Sequence, residues 1–311
     1  MRFWWCCTMI WLGCGAGAGP TEDTLASDSA SEDANDVDQP EVDESSPVIV
    51  VVEGDEVEVQ TTVRLAAAWG ARDAVGDPVV SWRWTLTQPD GSVSLLRPSA
   101  DIAEPRFEAN VVGHYEIGVT LTTASGQSAH VVLAMSVITS SALHVELLWH
   151  TPGDIDESDE GMTLGGAPRG SDVDLHLLAR PDALWFDQDD DCYFSNKDPD
   201  WQQPDWTRAP HLDRDDTDGA GPENINVTVL DESACYRIGV HYWDDWGYGA
   251  SIAAVRVYLG GALIHEVSTR LVHHDLWDVG VVCADGTFTP TGGCESEPCV
   301  PVVTPNYPIP L

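Results

Sequence analysis

Apolar and polar residues alternate with a period of two through much of the chain beyond residue 47, as they do in half-buried β-strands. In the first half the pattern predicts strands over residues 48–52, 57–65, 81–86, 114–121 and 130–138. The turn-forming segment Gln88-Pro89-Asp90-Gly91 and the pair Ser125-Gly126 separate strands from one another. No segment has the apolar periodicity of a three-turn amphipathic helix. These features predict an immunoglobulin-like β-sandwich over residues 47–139.

The second half repeats this pattern with different spacings. Its predicted strands are residues 143–148, 173–178, 225–230, 235–242, 252–259, 262–268 and 277–283, most of them separated by Gly, Asp or Asn. We therefore predict a second β-sandwich or jelly roll over residues 142–288, followed by a proline-rich tail over 289–311. The fold class is all-β, with a long Asp-rich loop in the second sandwich.

The amino terminus has the order of residues found in export signals. Met1-Arg2 supplies a positive start, and residues 3–12 form a short apolar stretch. The following Trp11-Leu12-Gly13-Cys14 resembles the bacterial lipoprotein processing box. The resemblance implies a signal over residues 1–13 and a lipid-modified Cys14 that anchors the chain at the outer membrane or cell surface. An ordinary cleaved signal and a buried apolar strand are the alternatives.

Charge changes the functional picture. The chain carries 52 Asp and Glu residues against 14 Lys and Arg residues, a formal net charge of −38. Such a charge repels phosphate backbones, so nucleic acids are excluded as partners. Part of the acid lies in residues 14–46, which are small, polar and poor in apolar side chains. We expect this segment to be a disordered, extended linker between the anchor and the folded region.

Three motifs in the first predicted sandwich resemble the polycystic-kidney-disease (PKD) repeat. They are Trp82-Arg83-Trp84, residues 105–107 and residues 113–119, where Gly-x-Tyr begins a late strand. The resemblance implies an immunoglobulin-like sandwich that serves as a spacer or adhesive unit. We interpret Trp82 and Trp84 as core and surface aromatic residues on alternate faces, in preference to a ligand site.

The long polar insertion over residues 180–223 is the most informative part of the second half. Six aromatic residues in it can bury part of its own surface, namely Trp185, Phe186, Tyr193, Phe194, Trp201 and Trp206. Its aspartates repel one another unless a counter-ion is present. Ca²⁺ binds six to eight oxygen atoms from carboxylates, amide carbonyls and backbone. The EF-hand spacing is absent, so we predict a calcium site built from separated segments, with a solvated acidic loop as the alternative. The candidate ligands are Asp172, Asp174, Asp187, Asp191, Asp213, Asp215, Asp216, Asp218, Glu223 and Asn224.

Several motifs of the second half are similar to the YfaP/DUF2135 group, which recurs in myxobacterial-type lipoproteins. They are residues 171–177, 191–194, 200–201, 215–225 and 236–242. The resemblance covers roughly residues 145–281 and implies location and fold more than chemistry. By analogy with calcium-binding jelly rolls of secreted proteins, it implies a calcium-stabilised binding unit.

An aromatic segment after the fourth predicted strand of this half offers a second binding hypothesis. Tyr242, Trp243, Trp246 and Tyr248 surround two aspartates in what we predict to be a hairpin tip. If exposed, these rings can stack on sugars; if buried, they brace the aspartate loop, and we favour bracing. The zinc-protease spacing and the nucleophile elbow are both absent, so we predict no enzyme, with a secreted hydrolase as the remaining alternative.

Export permits disulfide bonds, and eight cysteines are present. Cys294 and Cys299 are spaced to close a small loop in the tail. Among Cys192, Cys235 and Cys283 at most two can pair, and spacing does not select the pair. The sequence thus predicts an exported, lipid-anchored surface protein with a calcium-stabilised, non-catalytic binding or adhesion module for a glycan or protein ligand.

Overall fold

The computed structural model describes residues 46–158, 170–203, 205–292 and 300–309. The predicted signal, Cys14, the acidic linker up to residue 45 and the Cys294/Cys299 pair lie outside these residues. The first half contains β1 (Val48–Val51), β2 (Glu56–Glu58), β3 (Thr61–Ala68), β4 (Val79–Thr87), β5 (Arg106–Ala109), β6 (Gly113–Thr123) and β7 (Ser128–Ile138), with a five-residue helix, α1 (Gly70–Ala74), after β3.

The second half contains eleven further strands and one short 3₁₀ helix, Trp206–Arg208. The strands are β8 (Leu143–His150), β9 (Asp172–Leu178), β10 (Asp191–Cys192), β11 (Pro210–Arg214), β12 (Glu223–Val227), β13 (Cys235–Asp244), β14 (Ser251–Leu259), β15 (Ala262–Leu271), β16 (Leu276–Cys283), β17 (Phe288–Pro290) and β18 (Val302–Thr304). The all-β prediction is confirmed. In the described ranges, neither helix has the length or apolar character needed to cross a membrane.

The first sandwich packs a three-stranded sheet, β1-β3-β5, against a four-stranded sheet, β2-β7-β6-β4. Its core includes Trp84, Phe107 and Tyr115 from three different strands. The Tyr115 hydroxyl donates to the Val111 carbonyl at 3.1 Å and accepts from the Val111 N–H at 3.2 Å. Two polar groups of the turn before β6 are thereby satisfied inside the core. The arrangement is that of an immunoglobulin-like β-sandwich.

The continuous strand predicted over residues 57–65 is two strands in two different sheets. β2 pairs in parallel with β7, whereas β3 pairs with β1 and β5. The chain changes sheet at Gln60, whose φ of 67° lies in the left-handed region. The N–H of Val59 bonds to Ile138 in one sheet, and that of Gln60 bonds to Ala109 in the other. Side-chain alternation continues through the crossing, so the pattern alone does not reveal the break.

The assignment of Trp82 and Trp84 to alternate faces is wrong. Residues two apart on a strand point to the same face, and both indoles pack on the core of the first sandwich. Trp84 is buried and donates its indole N–H to the Ile102 carbonyl at 2.9 Å. Trp82 is half-buried, and its indole N–H lies 3.4 Å from the Ala67 carbonyl. Both rings belong to the core.

The second sandwich packs the sheet β11-β12-β8-β14-β15 against a six-stranded sheet in which β10, β9, β13, β16 and β17 follow in order and β18 also pairs with β16. Inward-facing residues of both sheets form its core, among them Leu147, Leu175, Val240 and Trp277. The aspartate-rich insertion leaves the six-stranded sheet at the end of β9 and enters the facing sheet at β12. Within it β10 pairs with β9 and β11 pairs with β12, so the insertion is attached to both sheets.

Polar contacts join the two sandwiches. Glu146 of β8, fully buried, accepts the Val112 N–H at 3.0 Å and lies 3.4 Å from Arg256 of β14. Arg214 lies 3.1 Å from Glu108 of the first sandwich and 3.1 Å from Asp216. Gly91 in the predicted turn has a φ of +91°, and a Cβ there would be 2.5 Å from Leu148. Glycine is therefore required at position 91 both by the backbone conformation and by the close contact with Leu148.

Cys235 and Cys283 form a disulfide that joins β13 to β16. Cys192 is buried and unpaired. The structure thereby settles the pairing that spacing alone left open. The two bonded cysteines face each other as register partners on neighbouring antiparallel strands.

Candidate metal centre

The candidate site lies at the edge of β9 that faces away from β13. In the part of the chain that the structure describes, β10 is the strand beside this edge, and it pairs only with Leu177 and Leu178. The Leu175 N–H donates instead to the Glu223 carboxylate at 2.7 Å. Glu223 begins β12 in the opposite sheet. One carboxylate thus caps a strand edge and marks the place where the two sheets meet.

Three carboxylates converge here. Oxygen atoms of Asp174, Asp215 and Glu223 all lie within 4.8 Å of one another. Asp174 is 2% exposed and Glu223 is fully buried. Asp174 Oδ2 has no hydrogen-bond partner among the described residues; the nearest imidazole nitrogen, Nδ1 of His241, lies 3.9 Å away. A buried carboxylate oxygen without a donor costs free energy, and a bound cation would remove that cost.

A small cavity of about 180 Å³ adjoins two of the three carboxylates, Asp174 and Asp215. Its walls are Asp172, Asp174, Phe194, Asp215, Thr217 and Trp243. The rings of Phe194 and Trp243 contact each other edge to face, with centroids 4.7 Å apart. The cavity therefore combines oxygen donors on one side with an aromatic wall on the other.

The loop between β11 and β12 positions two of these groups. The Asp216 N–H donates to Glu223 Oε1 at 3.2 Å, and the Asp218 N–H donates to Asp216 Oδ1 at 3.2 Å. Gly219 follows with a φ of +98°, and a Cβ there would be 2.5 Å from the Glu157 carbonyl. A side chain at this position would displace the turn that carries Asp215 and Asp216.

Burial and mutual repulsion raise the pKa values of the clustered carboxyls. For Asp172, burial and then the nearby carboxylates of Asp174 and Asp215 raise the pKa to about 9. The pKa of Asp174 is raised by burial, and that of Glu223 is raised well above its usual range by burial and by Asp174. Burial lowers the pKa of His241 and so disfavours the charged form of this imidazole. The metal-free site therefore favours protonated carboxyls.

This cluster predicts an unusual pH dependence for the metal-free protein. The folded state holds the Asp172 proton more tightly than the unfolded chain does. The stabilisation that this proton contributes is therefore fully present below the usual pKa of 3.8 and is lost as pH rises towards about 9. We expect the urea midpoint in EDTA to fall between about pH 5 and about pH 8.5, beyond any fall measured with saturating Ca²⁺. Comparing the two series cancels the other titrating groups. Parallel curves would contradict the prediction.

Of the ten predicted ligands, Asp174, Asp215 and Glu223 come together, Asp172 lines the same cavity, and Asp216 bonds to Glu223. The spacing of Asp172 and Asp174 on one strand face predicts their shared position. Asp218 is buried against Gly170, outside the residues that line the cavity. The predicted constellation is thus partly assembled.

Asn224 lies on the opposite face of β12 from Glu223. Glu223 is paired in register with Leu147 of the core, whereas Asn224 is paired with Glu146 on the face turned towards the first sandwich. Successive side chains of a strand point in opposite directions, so adjacent residues cannot share this site. The structure therefore places the Asn224 side chain away from the three converging carboxylates.

The remaining predicted ligands have other positions. Asp187 caps a turn, where its carboxylate accepts the N–H of Asp189 at 2.8 Å. Asp191 is buried and bonds to Nδ1 of His176 at 2.8 Å. Asp213 extends from β11 towards His211, with Nε2 of that imidazole 3.3 Å away. Each of these carboxylates therefore has partners away from the three-carboxylate cluster.

The predicted aromatic hairpin tip is a crossing between sheets, because β13 and β14 belong to different sheets. Tyr242 is fully buried and donates its hydroxyl to the Gly249 carbonyl at 2.7 Å. Trp243 is half-buried in the wall of the carboxylate cavity. Trp246 is 46% exposed. Trp243 therefore lies against the carboxylate cavity, whereas Tyr242 packs in the core of the second sandwich, and neither forms an open stacking surface.

Sequence reasoning did not identify His241, Phe194 or Thr217 as part of the site. His241 is the register partner of Asp174 across β13 and β9. Alternation within β13 places His241 on the other face of the strand from the core residues Ile238 and Val240, and this alternation is visible in the sequence. Phe194 and Thr217 lie in irregular segments, where no periodicity indicates direction.

Known proteins share the sandwich architecture but give no closer assignment. No protein-family model and no curated protein sequence matches the chain at a significant level. Among solved structures, the PKD domain of the KIAA 1837 protein is 20% identical, covers 28% of this chain and 83% of its own, and has a TM-score of 0.22. Fibronectin(III)-like modules of Clostridium thermocellum CbhA are 10% identical, and the match covers 73% of this chain and 94% of theirs, with a TM-score of 0.22. Carbohydrate-binding modules of the β-sandwich superfamily are 9% identical, and the match covers 72% of this chain and 99% of theirs, with a TM-score of 0.22.

Proposed function

We propose that this chain is an exported, lipid-anchored surface protein with a non-catalytic binding module whose second sandwich is stabilised by Ca²⁺. The observation that carries the calcium assignment is the convergence of Asp174, Asp215 and Glu223 with a buried, unpartnered oxygen on Asp174. Export and attachment at Cys14 rest on the order of residues at the amino terminus. The Cys235–Cys283 disulfide supports an oxidising location.

The donor set favours a hard divalent cation. All three converging groups are carboxylates, and oxygen ligands are those that Ca²⁺ prefers. Two basic side chains contact the surrounding acidic groups: Lys197 lies 2.9 Å from Asp215, and Arg214 lies 3.1 Å from Asp216. With Asp172, Asp174 and Glu223 included, the carboxylates outnumber these cations by three. A divalent ion offsets most of that excess.

The size of the cavity favours an ion over an organic substrate. At about 180 Å³ it is smaller than the roughly 300–1,000 Å³ typical of small-molecule sites. It has room for a cation with a few waters, since a water occupies about 30 Å³. Paired acids for a hydrolase also need space for substrate between them. The proposal therefore assigns the cluster a structural role.

Terbium binding tests the proposal directly, because Tb³⁺ substitutes for Ca²⁺ at oxygen-rich sites and accepts excitation energy from a nearby indole. Trp243 lies in the cavity wall. We expect tryptophan-sensitised Tb³⁺ emission that Ca²⁺ displaces and that falls strongly in Trp243→Phe. Asp174→Asn should weaken binding at least about tenfold, since it removes a charged ligand.

Asp187→Asn is the matched control, because Asp187 was an equally plausible ligand by sequence but caps a turn elsewhere. Its Tb³⁺ affinity should equal that of the unaltered chain. Emission that persists at full affinity in Asp174→Asn, or that disappears in Asp187→Asn, would place the ion outside the cluster.

A further inference from the structure

A second and larger depression lies between the two sandwiches. Its volume is about 720 Å³, within the range of small-molecule sites. Glu58, Val59 and Thr139 line one side, and Asp198, Trp206 and His211 are among the residues of the other. None of the residues that line the cation cavity lines this groove. The two sites are therefore built from separate groups.

Trp206 presents an open aromatic face at this groove. The side chain is 81% exposed, although tryptophans usually bury most of their surface. Its backbone is nevertheless held in place: Asp205 accepts the Thr207 N–H at 3.1 Å, and the Thr207 carbonyl accepts the Val229 N–H at 2.9 Å. A ring that is exposed on a fixed backbone is a stacking surface that needs little reorganisation to bind.

A connected set of polar side chains lines the same groove as Trp206. His211 lies between two carboxylates, with Nδ1 bonded to Asp198 and Nε2 at 3.3 Å from Asp213. Asn226 donates to Asp213 through its amide, and its Oδ1 lies 2.7 Å from His144 Nδ1. Each group orients the next, so donors and acceptors have fixed directions before any ligand arrives.

We propose that this groove binds an oligosaccharide that carries no acidic groups. The apolar face of a sugar ring stacks on Trp206, while its hydroxyls bond to the connected polar side chains and to Gln203, which also lines the groove. Four of the lining residues are acidic, Glu58, Asp198, Asp200 and Asp213, and no lysine or arginine is among them. Uronic and other anionic sugars are therefore repelled.

A simple organic cation is the main competitor for the same groove, since carboxylates and an indole face also attract ammonium groups. The structure favours the sugar because two of the carboxylates already have partners: both Asp198 and Asp213 contact His211. What they offer a ligand is directed hydrogen bonding more than free charge. This inference does not depend on the calcium assignment.

Glycan binding by the full chain tests the proposal. The unaltered protein is applied to an array of neutral, amino and acidic glycans, and the strongest hit is titrated by calorimetry in about 0.15 M salt. We expect neutral or amino glycans to bind and acidic ones to fail. Trp206→Ala should weaken binding at least about tenfold, with an unchanged unfolding midpoint because the side chain is exposed.

Trp246→Ala is the matched control, since Trp246 is the exposed indole of the sheet crossing. It should leave affinity unchanged. The proposal is overturned if no glycan binds, if acidic glycans bind equally, or if Trp246→Ala abolishes binding while Trp206→Ala does not. It is also overturned if only amino glycans bind and spermine displaces them completely, because the groove would then be a cation site.

Discussion

We expect calcium added to the chelated full chain to raise the midpoint of thermal unfolding, and EDTA to reverse the change. A ligand that binds only the folded state stabilises it by about 4 kcal/mol when its free concentration is about a thousandfold above its Kd. For a folded region of this size that corresponds to a shift on the order of 10 °C. Differential scanning calorimetry at several calcium concentrations measures it. An unchanged midpoint would remove calcium from the proposed function.

Asp174→Asn sharpens this experiment because its effect should change with the ligand. In EDTA the substitution removes a buried carboxylate with an unpartnered oxygen, so the midpoint should stay the same or rise. With saturating calcium it removes a ligand, so the midpoint should fall below that of the unaltered chain. Asp187→Asn should follow the unaltered chain in both conditions. An equal loss in both conditions would indicate ordinary damage to packing.

Removal of the disulfide is expected to be the other large perturbation. Cys235 and Cys283 are separated by 48 residues along the chain. Closing a loop of that length restricts the unfolded chain by roughly 4 kcal/mol at room temperature in the entropic model. The double substitution Cys235→Ala, Cys283→Ala should lower the free energy of unfolding by about that amount, measured by urea titration.

Dithiothreitol provides the control for this variant. It should destabilise the unaltered chain and leave the double-alanine protein unchanged. The calcium response should survive in the variant, because the bond lies at one end of β13 and His241, beside Asp174, lies near the other. A calcium response lost together with the bond would mean that the disulfide holds the cation site together.

Much of the fold was predictable because alternation reports which strands have one buried face. It fails where a strand leaves one sheet for another, as at Gln60, since the direction of side chains is preserved while the hydrogen-bond partners change. The same rule of alternation, properly applied, places Trp82 and Trp84 on one face. The pattern in the sequence therefore agrees with the structure, and only the assignment of the two rings to opposite faces was wrong.

The site was predictable only within single strands. Asp172 and Asp174 share a face by their spacing, but Asp215 and Glu223 join them through the pairing of β12 with β8 and the turn before it. Neighbouring residues are the hardest to assign: Asn224 follows Glu223 and points the other way. Asp187 and Asp191 lie in a part of the sequence that is as rich in aspartate as the part that supplies the three converging carboxylates. In the structure, Asp187 accepts a local backbone N–H and Asp191 bonds to the His176 imidazole.

Contacts between distant segments carry no local signal at all. The pairing of Cys235 with Cys283 depends on β13 and β16 being neighbours, which sequence spacing does not encode. The groove at Trp206 likewise requires both sandwiches to be in place. Aromatic and acidic residues are frequent throughout the insertion, so composition gives no reason to single out this tryptophan.

Arg214 connects the proposed cation site to the first sandwich. One guanidinium contacts both Glu108 in the first sandwich and Asp216 in the loop that caps the site. Any event that orders or loosens this loop therefore changes the joint between the modules. If the chain is held on a surface by one end, as proposed above, the stiffness of that joint sets how far the outer module reaches and how it bears load. With the proposed calcium site, a change in external calcium would then alter that reach, with no ligand of the groove involved.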